Sequence, residues 1–325
     1  MEENSTVNTG AEKPERVRRK RRALKYLKEN LGHYIMLVPG YLALVMFSFI
    51  PMYGLYMAFI DYNPLLPSLF DNTYMGFYWF ELMFTEPDLG IMVRNTLILN
   101  GLKLLICFPA PIVLALLINE LANKAFKRVF QTVSYLPNFI SWVIVSGMLL
   151  IFLDTDNGLF NKVIEAFGGT PVSWYSDASK WRGILVLSAL WKNVGWGTIM
   201  FLAALTAVDQ GLYEAAYVDG AGKLRQVFAI TLPSIAPTIT ITLILTIGKL
   251  FQDDFDQIFS LVGDNAILAD TTQVIGTKIY SYVNSGAYKE FPLSTAYGLV
   301  QGVISLILIL LSNFTVKRMG QEGIW

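Results

Sequence analysis

The sequence predicts an all-α membrane protein, a polytopic helical bundle of about six transmembrane helices. Two observations lead to this prediction. The 325 residues are 54% hydrophobic and only 15% charged, and the mean hydropathy is +0.47, which is too apolar for a water-soluble protein of this length. Apolar runs long enough for a helix to cross about 30 Å of hydrocarbon also recur along the chain. These runs lie at 34–60, 95–118, 130–153, 183–206, 234–252 and 295–316.

The distribution of charge predicts how the spans are oriented. Six crossings put both termini on one side of the membrane, and that side carries most of the lysines and arginines. Because positively charged segments stay in the cytoplasm, we expect both termini there. We predict a basic N-terminal tail at 1–33, a transmembrane domain at 34–318 and a C-terminal tail at 319–325. The basic residues of this side are Lys13, Arg16, Arg18, Arg19, Lys20, Arg21, Arg22, Lys25, Lys28, Lys124, Lys127, Arg128, Lys223, Arg225, Lys317 and Arg318.

The elements follow in order from the tail. No small-residue cleavage site follows the first apolar run, so it is expected to be an uncleaved span beside a topogenic basic tail, with no role in nucleic-acid binding. His33 is expected at the membrane edge, and Cys107 as a small residue within the second span. Prolines within the spans, such as Pro137 and Pro237, predict a packed bundle whose neighbouring helices satisfy the freed carbonyls.

Ionisable residues within or at the ends of the spans are costly and therefore candidates for a function. These residues are Arg94, Lys103, Lys192 and Lys249. Arg94 is expected to reach water, whereas Lys192 and Lys249 are expected to pair with acidic groups such as those that follow span five.

The chain lacks the patterns of an ATP site and of a metal site. Tyr217 and Leu224 occupy the positions where a phosphate-binding loop around Lys223 needs glycine and a hydroxyl residue. The acidic residues Asp253 and Asp254 have no glycine and carbonyl ligands at a calcium-loop spacing, so no metal site is predicted.

The segment 207–232, between spans four and five, is predicted to lie in the cytoplasm and to contain a short helix. Glu214 to Val218 favours a helix, and Gly220 is a natural stop. Ala215 and Ala216 would let another backbone approach closely. A short helix with a small face and a charged edge is typical of an element that docks into a groove on another protein.

The spacing within this segment resembles the complete EAA loop of the membrane subunits of bacterial binding-protein-dependent ABC importers. Further motifs are similar to the carbohydrate branch of that family, of the maltose and LplB-like type. One departure is that Val262-Gly263-Asp264-Asn265 replaces a common Gly-Gly-Pro. The EAA positions are Glu214, Ala215, Ala216, Gly220, Ile230, Leu232 and Pro233, with Asp219, Ala221, Phe228 and Pro237 also fitting. The further motifs are Asn95-Thr96, Tyr135-Leu136-Pro137, Trp191-Lys192, Gly195 and 255–259.

The resemblance implies an ABC type I importer permease fold and a non-catalytic, pore-forming subunit in the bacterial plasma membrane. It implies three kinds of partner: a second permease subunit, two ATP-binding subunits that hold ATP and Mg, and an extracytoplasmic solute-binding protein. This chain itself is expected to bind no cofactor and no nucleic acid. The short helix would sit in a cleft of the ATPase. The residues implied in this coupling are Glu214, Ala215, Ala216, Asp219, Gly220, Ala221 and Pro233.

A sugar or oligosaccharide is the expected substrate, because aromatic faces with polar groups at their edges suit sugars. Two alternatives stay open, namely a permease of the same build for a glycerol phosphodiester or a polyamine, and an ion-coupled carrier that acts alone. Each candidate residue of the substrate pathway is equally well explained as packing between helices. These candidates are Asn138, Trp142, Trp191, Lys192, Asn193, Trp196 and Gln252.

Overall fold

A computed structural model describes residue 26, residues 29–320 and residues 323–324. The basic residues of the predicted tail from Lys13 to Lys28 lie outside the described residues. The described chain is almost entirely helical and separates into two compact units, residues 1–56 and 57–325. It contains five helices that are long and apolar enough to cross a membrane, and a bent pair of helices forms a sixth candidate. The fold class and the number of spans agree with the sequence prediction.

The first unit contains the first span. Helix α1 (Leu31–Leu44) continues into a π-helical segment (Val45–Phe49) and a 3-10 helix (Ile50–Phe59) that runs into the second unit. No residue of α1 is buried, and Met36 is 82% exposed. Such a surface requires lipid or another protein as its cover.

The second unit contains the other five spans and a pair of two-residue strands, β1 (Ile60–Asp61) and β2 (Thr73–Tyr74), which pair antiparallel. The long crossings are α3 (Leu89–Ile106) continuing into α4 (Pro109–Asn119), α8 (Ala178–Thr206), α11 (Leu232–Gly248) with the turns before it, and α15 (Phe291–Arg318). The helices, in chain order, are α2 (Tyr78–Thr85), α3 (Leu89–Ile106), α4 (Pro109–Asn119), α5 (Lys124–Tyr135), α6 (Trp142–Phe152), α7 (Leu159–Ala166), α8 (Ala178–Thr206), α9 (Gln210–Val218), α10 (Lys223–Gln226), α11 (Leu232–Gly248), α12 (Phe255–Val262), α13 (Ala269–Thr272), α14 (Ile275–Asn284) and α15 (Phe291–Arg318).

Helix α8 is the centre of the second unit. It packs against α3, α4, α5, α11 and α13, and it buries Trp181 and Leu185 completely. Its first turn is capped by Asp177, whose side chain accepts a hydrogen bond from the backbone N–H of Ser179 at 3.0 Å. Hydrogen bonds from Lys180 and Ser179 lower the pKa of Asp177 from 3.8 to about 2. The cap therefore contributes fully above pH 3.8 and is lost as the pH falls through about 2.

The third span is broken, which the continuous run predicted at 130–153 did not anticipate. It starts earlier, at Lys124, and consists of α5 with a 3-10 turn (Leu136–Phe139), followed by α6 at an angle of 96°. Pro137 has no N–H to donate, and Ile140 and Ser141 are extended, so the helix ends there. Helix α6 restarts with Ser141 as its cap, because the Ser141 hydroxyl accepts from the Ile144 N–H at 3.3 Å.

The fifth span ends at Gly248 and not at 252 as predicted. Gly248 packs directly against the side chain of Ile309, where a Cβ would collide. Residues 249–254 then form an irregular segment before α12. We name this stretch the unwound segment. It lies beside the middle of α3 and α15, because Asn100 of α3 donates to the carbonyl of Gln252 at 2.7 Å and Gln301 of α15 donates to that of Phe251 at 3.1 Å.

Candidate functional sites

The short helix predicted between spans four and five is present as α9, longer at its start than predicted. Its cap is Asp209, whose side chain accepts a hydrogen bond from the Gly211 N–H at 2.9 Å. It ends as predicted at Gly220, which has φ +77°. In that left-handed conformation the N–H of Ala221 reaches back to the carbonyl of Ala216 at 2.9 Å and closes the helix. Glycine adopts this conformation without the steric cost of a Cβ.

One face of α9 is free of the rest of the described chain. Tyr217 and Val218 are 78% and 83% exposed, and Phe228 beyond the turn is 70% exposed. Glu214 and Ala215 are also exposed. The residues predicted to take part in coupling, Ala216, Asp219 and Ala221, lie on the same short stretch, and Pro233 lies in the first turn of α11, where a missing N–H costs little.

Helix α9 is attached to the start of span five through Tyr213. The Tyr213 hydroxyl forms a hydrogen bond with the Thr231 hydroxyl at 2.9 Å, and Thr231 is buried. The Gln226 side-chain amide donates to the carbonyl of Ala221 at 3.0 Å. Lys223 forms an ion pair with Glu120 at the end of α4. These contacts attach α9 and the turn that follows it to the start of α11 and the end of α4.

Most of the predicted substrate-pathway residues gather at the break in span three. The Lys192 ammonium of α8 donates to the carbonyls of Asn138 at 2.8 Å, Pro137 at 3.3 Å and Ile140. It also lies 5.4 Å from the ring centre of Trp142. Lys192 therefore satisfies the carbonyls that the break leaves without helical partners, and the expectation that it pairs with a carboxylate is wrong.

The same break is closed by two further pairs. The Asn138 amide donates to the side-chain oxygen of Asn193 at 3.2 Å, and the Trp196 ring meets Phe139 edge-on with centroids 5.7 Å apart. Gly195 allows the contact, because a Cβ there would collide with the carbonyl of Ser134. Gly195 and Lys192 of span four thus contact the Tyr135-Leu136-Pro137 motif of span three, the first by close packing and the second by hydrogen bonds.

Two predicted pathway residues lie elsewhere. Trp191 lines an apolar cavity of about 270 Å³ between α6, α7 and α8. Gln252 lies in the unwound segment and lines a larger cavity of about 590 Å³ between α3, α4, α8 and α11. The structure therefore separates the seven candidates into one cluster and two isolated positions.

Two further motif residues, Gln257 and Asn95, connect neighbouring helices. Gln257 of α12 is fully buried and connects three elements. Its amide donates to the carbonyl of Leu185 at 2.6 Å and to the hydroxyl of Ser188, and its oxygen accepts from Lys103 at 2.6 Å. Asn95 joins α3 to α13 and α8 through the Gln273 carbonyl and the Arg182 guanidinium, each at 3.0 Å.

The other intramembrane cations differ in their partners. Arg94 pairs with Asp270 at 2.8 Å and is exposed, in agreement with the expectation that it reaches water. Lys103 pairs with Asp254 at 3.4 Å. Lys249 has no carboxylate within ion-pair distance in the described part of the chain, contrary to the prediction. Asp253 accepts from the Gly276 N–H at 2.8 Å and the Gln301 amide at 3.1 Å.

Asn100 and Gln301 were missed by the sequence analysis. Both satisfy carbonyls of the unwound segment. The available signal was a side-chain amide inside an otherwise apolar span, a residue type that is expensive in lipid unless it has a partner.

Comparison with known proteins gives a consistent assignment. Protein LplB of Bacillus subtilis (strain 168) is 41% identical over 300 residues, covering 92% of this chain and 92% of LplB. The polygalacturonan/rhamnogalacturonan transport system permease protein YteP of the same organism is 39% identical over 308 residues, covering 95% of this chain and 94% of YteP. A chain in the crystal structure of a bacterial alginate ABC transporter, in complex with an alginate pentasaccharide-bound periplasmic protein, has a TM-score of 0.82 at 35% identity over 92% of this chain and 99% of that chain.

The family assignment also covers the part of the chain that carries both candidate sites. Residues 107–321 match the binding-protein-dependent transport system inner membrane components. This range includes the break in span three, α9 and the unwound segment. The chain belongs to this family of inner membrane components of binding-protein-dependent transport systems.

Proposed function

We propose that this chain is the non-catalytic permease subunit of an ABC importer that moves a sugar or oligosaccharide across the bacterial plasma membrane. Its partners are a second permease subunit, two ATP-binding subunits that hold ATP and Mg, and an extracytoplasmic binding protein. The solute class is supported by the similarity to YteP, a polygalacturonan/rhamnogalacturonan permease, and to the alginate transporter. Both termini and α9 face the cytoplasm, in keeping with the placement of lysine and arginine.

The observation that carries this proposal is the two-sided build of α9. Its exposed side presents Glu214, Ala215 and Val218 to a partner, while Tyr213 ties the helix to span five at Thr231. A helix exposed on one side and anchored on the other transfers a mechanical displacement. Closure of the ATPase dimer would move α9, and Pro233 at the start of α11 would carry the motion into the bundle.

Docking of α9 is tested by cross-linking. The chain has one cysteine, Cys107, so a Cys107→Ser background accepts single cysteines at chosen positions. Tyr217→Cys is expected to cross-link to the ATP-binding subunit in the assembled transporter, whereas Lys162→Cys, in α7, is not. Absence of a cross-link at position 217, with normal assembly, would contradict the docking role.

The coupling role is tested by removing the carboxylate of Glu214. We expect Glu214→Ala to insert and assemble normally but to lose uptake, because the ATPase then turns over without moving the pore. Glu165→Ala, an exposed carboxylate of α7, serves as the matched control. Uptake of labelled oligosaccharide and ATP hydrolysis are measured together, and normal uptake by Glu214→Ala would refute the role of this residue.

A further inference from the structure

The cavity of about 590 Å³ combines apolar walls with a charged edge. Phe108, just before α4, and Phe201 of α8 line the apolar part of the cavity. The unwound segment contributes Lys249, Gln252, Asp253 and Asp254. Aromatic faces beside polar side chains are suited to the apolar and hydroxyl faces of a sugar ring. The volume is within the range of ordinary ligand sites.

The backbone at the charged edge is already satisfied. Asn100 donates to the carbonyls of Leu250 at 3.0 Å and Gln252 at 2.7 Å, and Gln301 donates to that of Phe251. Irregular backbone within a membrane bundle persists where protein satisfies it or where it lines a cavity, and broken helices in transporters commonly border the solute. The recognition groups left at this edge are therefore side chains.

Most charges at this edge are paired inside the protein. Lys103 contacts Asp254 at 3.4 Å and the Gln257 oxygen at 2.6 Å. The Asp253 carboxylate accepts from Gly276 and Gln301, which lie on α14 and α15 and not among the residues that line the cavity. The Asp253 carboxylate thus faces α14 and α15, and the Asp254 carboxylate forms an ion pair with Lys103.

Lys249 is the exception among the described residues that line the cavity. Its side chain is exposed, and no hydrogen bond or ion pair within the described chain satisfies its ammonium. An ammonium beside a membrane bundle is expensive unless it meets an anion or water. The anion that this protein does not supply fits a carboxylate on the solute, since a charged donor and acceptor form the stronger hydrogen bonds.

We propose that this cavity selects acidic saccharides and that Lys249 contacts the carboxylate of a uronate unit. The inference rests on the proposed function and names its substrate class. Gln252 supplies an amide for the ring hydroxyls, and Phe108 borders the apolar face of the sugar. Lys249 is a specificity-determining residue of the permease itself, acting after the binding protein has released its solute.

The experiment compares an acidic oligomer with its neutral counterpart in the complete transporter. The probes are a galacturonic acid oligomer and the same oligomer with its carboxylates reduced to alcohols. The variants are Lys249→Gln, Lys249→Arg and, as a matched control, the exposed external lysine variant Lys289→Gln. Uptake is measured with the same saturating binding protein throughout, so that differences between variants report on the permease.

We expect Lys249→Gln to lower uptake of the acidic oligomer about tenfold or more, the loss of one charge-assisted contact. Uptake of the reduced oligomer should change less than about twofold, a difference too small to reflect a lost contact of that strength. Lys249→Arg should retain most acidic uptake, and Lys289→Gln should behave as the unaltered protein.

Three outcomes would overturn the inference while leaving the proposed function intact. They are equal loss of both oligomers in Lys249→Gln, no loss of either, and import of the neutral oligomer alone by the unaltered transporter. A different result would overturn the proposed function itself: no ATP-dependent uptake of any saccharide by the complete, unaltered transporter.

Discussion

Lys192 shows how a single charged residue permits a break within a membrane span. The Lys192 residue is only 7% exposed. Its ammonium donates hydrogen bonds to the carbonyls of Pro137, Asn138 and Ile140. A helix end inside hydrocarbon otherwise leaves such carbonyls without donors. Lys192 thus acts as a cap that a neighbouring helix supplies. This structural role is enough to explain why a lysine stands at this position of the motif, without any contact with the solute.

Replacing this ammonium should destabilise the protein. Lys192→Met keeps the length and apolar stem but removes the donor, leaving three partly buried carbonyls without it, at a cost of up to about 1–3 kcal/mol each. We expect a lower midpoint of thermal unfolding in detergent. Lys162→Met, on the exposed side of α7, is the control. Equal midpoints for the two variants would exclude the capping role.

At the scale of the element, the extent of α9 is set by the residues at its two ends. Asp209 caps the start, and Gly220 closes the end in a left-handed conformation. Between these ends, Tyr213 holds the helix to span five. These contacts define both ends of the helix and its attachment to span five, as the proposed coupling role requires.

Gly220 and Gly222 offer a matched pair for testing this rigidity. Gly220→Ala forces a Cβ into φ +77°, at a cost of roughly 1–2 kcal/mol. Gly222 has φ −69° and open space around a Cβ, so Gly222→Ala should be tolerated. We expect Gly220→Ala to transport less sugar for each ATP hydrolysed, and Gly222→Ala to keep the normal ratio. Identical ratios in both variants would show that the turn does not matter for coupling.

The fold of the whole molecule was largely predictable, because span length and charge placement are local properties of the sequence. The spacing from Glu214 to Pro233 likewise identified α9 and its stop at Gly220. Pro137 marked a possible break in span three, but not its angle of 96°. The unwound segment was not predictable, because it depends on contacts between distant residues, such as Asn100 with the carbonyl of Gln252, and hydropathy does not register such contacts.

For the substrate pathway, residue types indicated aromatic and amide groups but not their partners. Asn138 and Asn193 meet each other, whereas Gln252 lies in a different cavity. Which polar groups face a cavity and which face a neighbouring helix is a tertiary property. Lys249 illustrates the difference, since the sequence predicted a carboxylate partner that the described structure does not provide.

The molecule as a whole is expected to be inactive without its partners. In the proposed transporter the ATP-binding subunits supply the energy, and no residue of α1 is buried within the described part of the chain. In liposomes, the purified chain alone should accumulate no oligosaccharide under an ion gradient, whereas the complete transporter with ATP should do so. Gradient-driven uptake by the chain alone would instead identify a secondary carrier.

The two short halves of span three also bear on how the protein enters the membrane during synthesis. Helix α6 has 11 residues and α5 has 12, so at 1.5 Å per residue each covers only about 16–18 Å, too short to cross hydrocarbon of about 30 Å. The side chain that completes the crossing, Lys192, is synthesised later. We therefore expect the third crossing to become stable only after the fourth has left the ribosome.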